Sequence, residues 1–107
     1  MTETPFVLFH GYTDRQGTCH REGAMRPATA RDETRALSDF RVHMRPESFL
    51  SVILPQVILR LGGLKKIDAG VVDRLSPADR AFLERLYREV NGYPEMSSRT
   101  DATENGG

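Results

Sequence analysis

The sequence is poor in cysteine and has no excess of either charge. Cys19 is the only cysteine among 107 residues, so an internal disulfide cannot form and disulfide-built secreted scaffolds are excluded. Lys and Arg together number 15, and so do Asp and Glu, which gives a formal net charge of zero. Proteins that neutralise many phosphates carry a basic excess. The charge balance therefore argues against a dedicated nucleic-acid binder.

Long apolar runs are also missing. No run approaches the roughly 20 residues that a membrane span requires, and no cluster of Lys and Arg suits anionic lipid headgroups. Residues 1–5 contain no basic side chain and precede only the four apolar residues 6–9, so we expect no signal peptide. These features predict a single-domain cytoplasmic protein without membrane insertion.

His10, Cys19 and His20 form the one cluster of metal-type ligands in the sequence. Strand alternation would place Cys19 and His20 on opposite faces, and a structural zinc site needs four ligands, usually in closely spaced pairs. Glycine-rich phosphate loops, nucleophile elbows and metalloprotease helices are absent as motifs. We predict no metal site, no cofactor and no catalytic residues, and interpret the three side chains as strand residues.

The N-terminal part of the chain has the pattern of a β-hairpin. The apolar run FVLF opens an extended segment, and residues 18–26 form a second one that can return beside it. Between them, Asp14 and Gly17 occupy the first and last positions that a type I turn favours. Because an isolated hairpin is marginal in water, we expect it to pack on the rest of the chain.

Helix-start signals recur after the hairpin. Thr29 with Asp32 and Ser76 with Asp79 each have the spacing of a capping box, and Asp68 suits the cap of a short helix. These positions predict where three helices begin.

The central segment is the most apolar in the sequence. Its apolar side chains point around most of a helix over residues 46–61, which is typical of a buried helix. Pro46 fits the first turn, and Pro55 predicts a kink or a break. The preceding linker, residues 39–45, is expected to turn Val42 and Met44 toward the core.

The predicted fold class is α+β, with a small N-terminal β-hairpin packed on three to four α-helices. The expected organisation is a flexible N-terminus over 1–5, one domain over 6–93 and a disordered tail over 94–107. The expected elements are the hairpin over about 6–26 and helices over about 30–38, 46–61, 68–74 and 76–91.

Residues 59–90 also have the outline of a helix-turn-helix. A recognition helix places base-reading and phosphate-binding side chains near its N-terminus. Asp79 stands at that position and would repel phosphate. DNA binding is therefore the weaker interpretation of this tract.

Several sequence blocks resemble a known protein family. They are GYTD at 11–14, GT at 17–18, HREG at 20–23, MR at 25–26, ATARDE at 28–33, RLG at 60–62, Asp79, and FLERLYREVNG at 82–92. Together they resemble a small protein family encoded with extracellular contractile injection systems and, more distantly, tail-assembly and baseplate-associated proteins of contractile phages. The resemblance covers about residues 6–93. Pro27 and Pro55 depart from the family pattern.

The resemblance implies a non-enzymatic assembly protein, either a chaperone or a minor baseplate or tail component. Its partners would be other tail, tube or baseplate proteins, met in the cytoplasm or in the assembled particle. No catalytic residue is carried over from the family. The alternative is a small adaptor or a DNA-binding regulator from the same gene cluster.

A hairpin with a free edge can add a strand to a partner's sheet. The polar residues near this edge and the first predicted helix are the candidate partner contacts. They are His20, Arg21, Met25, Arg26, Asp32 and Glu33. The alternative interpretation is that Arg26 and Glu33 pair with each other and only fix the hairpin to the first helix.

Overall fold

The computed structural model describes residues 3–92 and confirms the α+β class. One antiparallel sheet has the strand order β1-β2-β3. Its strands are β1 (Thr4–Thr13), β2 (Cys19–Met25) and β3 (Ile58–Leu61). The predicted turn joins β1 to β2, since the Gly17 N–H donates to the Asp14 carbonyl over 3.0 Å.

The described chain also contains five α-helices. They are α1 (Ala30–Leu37), α2 (Phe40–Met44), α3 (Phe49–Val57), α4 (Ala69–Asp73) and α5 (Pro77–Val90), with a single 3-10 turn (Pro46–Ser48) before α3. The predicted caps are confirmed: Thr29, Asp68 and Ser76 each accept a backbone N–H three residues ahead. Helix α2 was not predicted, and Asp39 begins it by accepting the Arg41 N–H.

The helix predicted over 46–61 is wrong beyond Val57, where the chain enters β3. Pro55 lies inside α3, which continues for two residues past it. In a longer helix, the Val57 carbonyl would accept the N–H of Leu61. It accepts the Arg26 N–H over 2.9 Å instead. Leu61 then pairs with Gly23 of β2. Ile58 and Leu61 are both buried in this strand.

The N-terminal boundary also differs from the prediction. Thr4 and Pro5, expected to be flexible, belong to β1 and pair with Met25 and Ala24. The predicted disordered tail, residues 94–107, lies outside the described residues.

Strand β1 carries a wide bulge. Val7 pairs with Glu22 and Tyr12 pairs with His20, so residues 8–11 of β1 face only Arg21 of β2. Gly11 has φ +86°, and a Cβ there would lie 2.6 Å from Cγ of Arg21. The bulge turns consecutive backbone N–H groups of β1 away from β2 and toward the start of α5.

The core lies between the inner face of the sheet and the helices. Helix α3 is its centre, as predicted, with Val52, Ile53, Leu54 and Val57 buried. It packs against α1 and α4, while α5 packs against β1. This arrangement leaves α2 at a corner of the molecule, with only Val42 buried.

Candidate protein-contact surface

Half of the predicted partner contacts are buried side chains. Met25 is fully buried, and His20 and Asp32 are buried as well. Nδ1 of His20 accepts the Gly63 N–H over 3.1 Å, so Nε2 carries the proton that faces Asp14 at 2.8 Å. That hydrogen bond is the main cause that lowers the pKa of Asp14. His20 therefore joins the hairpin turn to the end of β3.

Arg26 has an acidic partner, and that partner is Asp32 instead of Glu33. The guanidinium lies 2.7 Å from Oδ2 of Asp32 and also donates to the Gln56 carbonyl over 2.7 Å. Glu33 accepts a hydrogen bond from the Tyr87 hydroxyl over 3.1 Å. The ion pair thus fixes the hairpin to both α1 and the end of α3.

This ion pair gives the stability a measurable pH dependence. The hydrogen bond from Arg26 is the largest cause that lowers the pKa of Asp32, from 3.8 to about 2. Because the folded pKa is depressed, the stabilisation is complete above about pH 5 and is lost as the pH falls toward 2. We expect the free energy of unfolding of the wild type to fall by about 2 kcal/mol more than that of Asp32→Asn over this range. Urea denaturation at a series of pH values measures the free energy of unfolding of both proteins. The same dependence of that free energy on pH in the wild type and in Asp32→Asn would contradict the prediction.

The free hairpin edge offers few backbone donors. Strand β2 is central, because β3 pairs with its second edge. On β1, Pro5 has no N–H, and the N–H groups of Phe9, His10 and Gly11 already bind Asp79. Arg21 is exposed, but its Nε donates to the Leu8 carbonyl and braces the bulge. Strand addition is thus poorly supported as a means of partner contact.

Asp79 has a structural role that the sequence did not reveal. Its carboxylate is fully buried and accepts the N–H groups of Phe9, His10 and Gly11 over 2.6, 3.1 and 2.9 Å. The predicted capping box is half correct, since Ser76 accepts the Asp79 N–H but the carboxylate binds β1. Burial raises the pKa of Asp79, but the hydrogen bonds from the β1 backbone together lower it by more, so the net shift is downward. The residue pins α5 to the bulge.

The predicted strand residues His10 and Cys19 bind different groups. His10 Nδ1 lies 2.9 Å from the Ser76 hydroxyl, and the exposed Cys19 thiol donates to the His10 carbonyl over 3.2 Å. Within residues 3–92, no group of three or more His, Cys, Asp and Glu side chains is placed to hold a metal ion. Over the same range, no helix has the length and apolar character to cross a membrane.

The two most exposed apolar side chains, Phe40 and Met44, lie on α2, and Leu37 at the end of α1 is also exposed. The exposed fractions are 73% for Phe40, 65% for Met44 and 56% for Leu37. Phe40 and Met44 are four residues apart and so share one face of α2, opposite the buried Val42. We call Leu37, Phe40 and Met44 the α2 surface. Val42 was correctly predicted to be buried, whereas the same prediction for Met44 was wrong.

Other large apolar side chains are exposed on the strands. They are Val7, Phe9 and Leu59. Phe9 has a neighbour on α5, since its ring packs edge-to-face on Phe82 with centroids 5.7 Å apart. The α2 surface differs because it joins two highly exposed side chains on one helix face.

Charged side chains of both signs lie next to the α2 surface in the sequence. Arg41, His43 and Arg45 are exposed on and just after α2. Asp39 lies 3.2 Å from Arg41, the charge of Asp73 also acts on Arg41, and the exposed Glu47 follows Arg45 by two residues. The hydrogen bond from Arg41 and, more weakly, the charge of His43 lower the pKa of Asp39. The α2 surface therefore has an apolar centre beside charged side chains of both signs.

No protein-family model, curated protein or solved structure matches this chain. The α2 surface was missed in the sequence because its helix is short. Asp39 followed by apolar residues at positions 40 and 44 was the available signal.

Proposed function

We propose that this chain is a non-enzymatic assembly protein of a contractile phage-tail-like injection particle and acts through protein–protein contacts. The α2 surface carries the proposal, because Phe40 and Met44 expose most of their side chains on one helix face. Contiguous exposed apolar groups rimmed by polar residues are typical of protein interaction sites. The partners are tail, tube or baseplate proteins, and such a surface serves a chaperone or a minor component equally well.

Three polar side chains with several hydrogen bonds support this proposal, because their bonds join elements of the fold to one another. Asp79 binds the β1 backbone, His20 joins the hairpin turn to Gly63, and Arg26 ties the hairpin to the helices. These bonds hold the chain in one shape and position α2 at the corner. The sequence blocks that resemble proteins of contractile injection systems indicate the kind of particle. The α2 surface offers a site at which a partner protein can bind.

Phe40→Asp is expected to abolish partner binding while leaving the fold intact. Position 40 is highly exposed and begins α2, where a carboxylate is favourable to the helix dipole. Loss of a central aromatic contact costs about 2 kcal/mol or more, so we expect at least about a tenfold drop in recovered partner. The measurement is affinity capture of the tagged chain from producing cells, followed by quantitative mass spectrometry.

Leu59→Asp is the matched control, because Leu59 is an exposed apolar side chain on β3. Wild type and Leu59→Asp should recover the same tube, sheath or baseplate proteins. If only Leu59→Asp fails to recover the partner proteins, the contact lies on the sheet and not on α2. Recovery of DNA or of a metabolic enzyme, without any particle protein, would favour the regulator or adaptor and overturn the proposal.

A further inference from the structure

We propose that His20 is a pH-sensitive latch on the loop 62–68, which joins β3 to α4. The loop is held closed while the imidazole is neutral and is released when the ring takes up a second proton. Two hydrogen bonds of the imidazole, its close contact with Gly62 and the charges around it support this regulatory role, which does not depend on the proposed function.

One of the two hydrogen bonds of His20 requires a neutral imidazole. Nδ1 accepts the Gly63 N–H over 3.1 Å, while Nε2 faces Oδ2 of Asp14 at 2.8 Å. We call the bond from Gly63 to Nδ1 the latch bond. A neutral ring has one donor and one acceptor nitrogen, whereas a protonated ring has two donors. Protonation therefore places an Nδ1–H group against the Gly63 N–H, and the latch bond is lost.

The imidazole is held in place on both sides. His20 is buried, and its partner Asp14 is itself fixed, because Oδ1 of Asp14 accepts the N–H groups of Gln16 and Thr18 over 2.9 Å each. On the opposite side of the ring, a Cβ at Gly62 would lie only 2.6 Å from Cβ of His20. The two facing donors of a protonated ring and Gly63 are therefore separated by movement of the loop instead of the ring.

Gly62 lies between the part of the chain that moves and the part that stays. Its N–H donates to the Glu22 carbonyl over 2.6 Å and extends the pairing of β3 with β2. Its φ of +56° is in the left-handed region that favours glycine, and small residues at the end of an element often act as hinges. Beyond this hinge, Leu64 and Ile67 are partly buried against the core. Release of the loop therefore exposes them.

Asp14 is the charge that acts most directly on the ring. The hydrogen bonds from His20 and Thr18 lower the pKa of Asp14, so its carboxylate stays ionised where histidine ordinarily titrates. It favours the protonated imidazole once the loop has opened. The other titratable or charged side chains beside the ring or on the loop are Tyr12, Cys19, Arg21, Glu22, Lys65, Lys66 and Asp68. Those of the loop are exposed, so solvent screens their charges.

Hydrogen exchange at the Gly63 amide tests the latch. NMR would measure it in the full-length chain between about pH 7.5 and 5, corrected for the intrinsic exchange rate at each pH. Because opening is coupled to the uptake of one proton, we expect the opening constant to rise by up to about tenfold per pH unit below about pH 6.5. The Gly62 amide is the internal control and should not change. A Gly63 opening constant that does not depend on pH would overturn the proposal.

His20→Asn separates the hydrogen bond from the proton. The side-chain carbonyl of Asn can accept the Gly63 N–H in place of Nδ1, but the amide does not titrate. We expect the pH dependence of Gly63 exchange to disappear in this variant. His43→Asn, at an exposed histidine on α2, is the matched control and should keep the pH dependence of the wild type. The same pH dependence in His20→Asn as in the wild type would show that another group controls the loop.

Asp14→Asn keeps the histidine and provides an independent test. Loss of the carboxylate beside Nε2 disfavours the protonated ring, so we expect Gly63 to open about one pH unit lower than in the wild type. Nitrogen-15 chemical shifts of the imidazole should show protonation of Nδ1 at the pH of opening in both proteins. An unchanged pH of opening, or a protonated Nδ1 while Gly63 remains protected, would contradict the latch.

Discussion

Asp79→Asn is expected to lower the free energy of unfolding by about 3 kcal/mol. The buried carboxylate accepts three backbone N–H groups of the β1 bulge. An amide removes the charge that strengthens these bonds, and its own N–H₂ group must face a β1 donor. For a domain of this size the change corresponds to a fall in Tm of roughly 12 to 24 °C.

Asp73→Asn is the control for this prediction. Asp73 is an exposed carboxylate at the end of α4 that accepts one hydrogen bond from Ser51 over 2.8 Å. We expect a loss below about 1 kcal/mol there. Hydrogen exchange at Phe9, His10 and Gly11 should accelerate in Asp79→Asn before the rest of the sheet. If both variants melt together with the wild type, the pinning role assigned to Asp79 is wrong.

Leu86→Asp is expected to unfold the chain at neutral pH. Leu86 is buried on the core face of α5, beside the fully buried Leu83. An unpaired carboxylate at that position costs more than about 4 kcal/mol, which is most of the stability of a small domain. Circular dichroism and proton NMR should show loss of the cooperative transition and of the dispersed spectrum.

Arg85→Asp separates the effect of burial from that of helix propensity. Arg85 is the preceding residue on α5 and its side chain is exposed. This variant should keep a cooperative transition within a few degrees of the wild type. A folded Leu86→Asp that has lost a partner would instead identify the face of α5 that carries Leu83, Leu86 and Tyr87 as an interface.

Local signals were sufficient for three of the helix starts. The caps at Thr29, Asp68 and Ser76 depend on contacts within three residues, so spacing in the sequence predicts them. The hairpin turn at Asp14 and Gly17 is local in the same way. The α+β class followed from these elements together with the apolar run of α3.

Long-range contacts explain what the sequence did not reveal. Strand β3 exists because β2 offers a second edge, and neither Ile58 nor Leu61 signals that partner locally. Asp79 looks like a capping residue until the β1 bulge is placed beside it, about 70 residues earlier in the chain. Met44 has the composition of a core residue, and only the orientation of α2 shows that it is exposed.

The predicted partner contacts show the same limit. Polar residues that bridge elements and polar residues that face a partner look alike in a sequence. Arg26 and Asp32 turned out to bind each other, and His20 binds the turn and Gly63. Their role as partner contacts stays a prediction, and the α2 surface offers more accessible area for one.

The most direct test of the assembly role is a count of complete particles by electron microscopy. Producing cells in which this chain is deleted would be complemented with wild type, Phe40→Asp or Leu59→Asp. We predict complete particles with wild type and Leu59→Asp, and few or none without the chain or with Phe40→Asp. Complete particles in normal numbers without the chain would contradict a role in assembly.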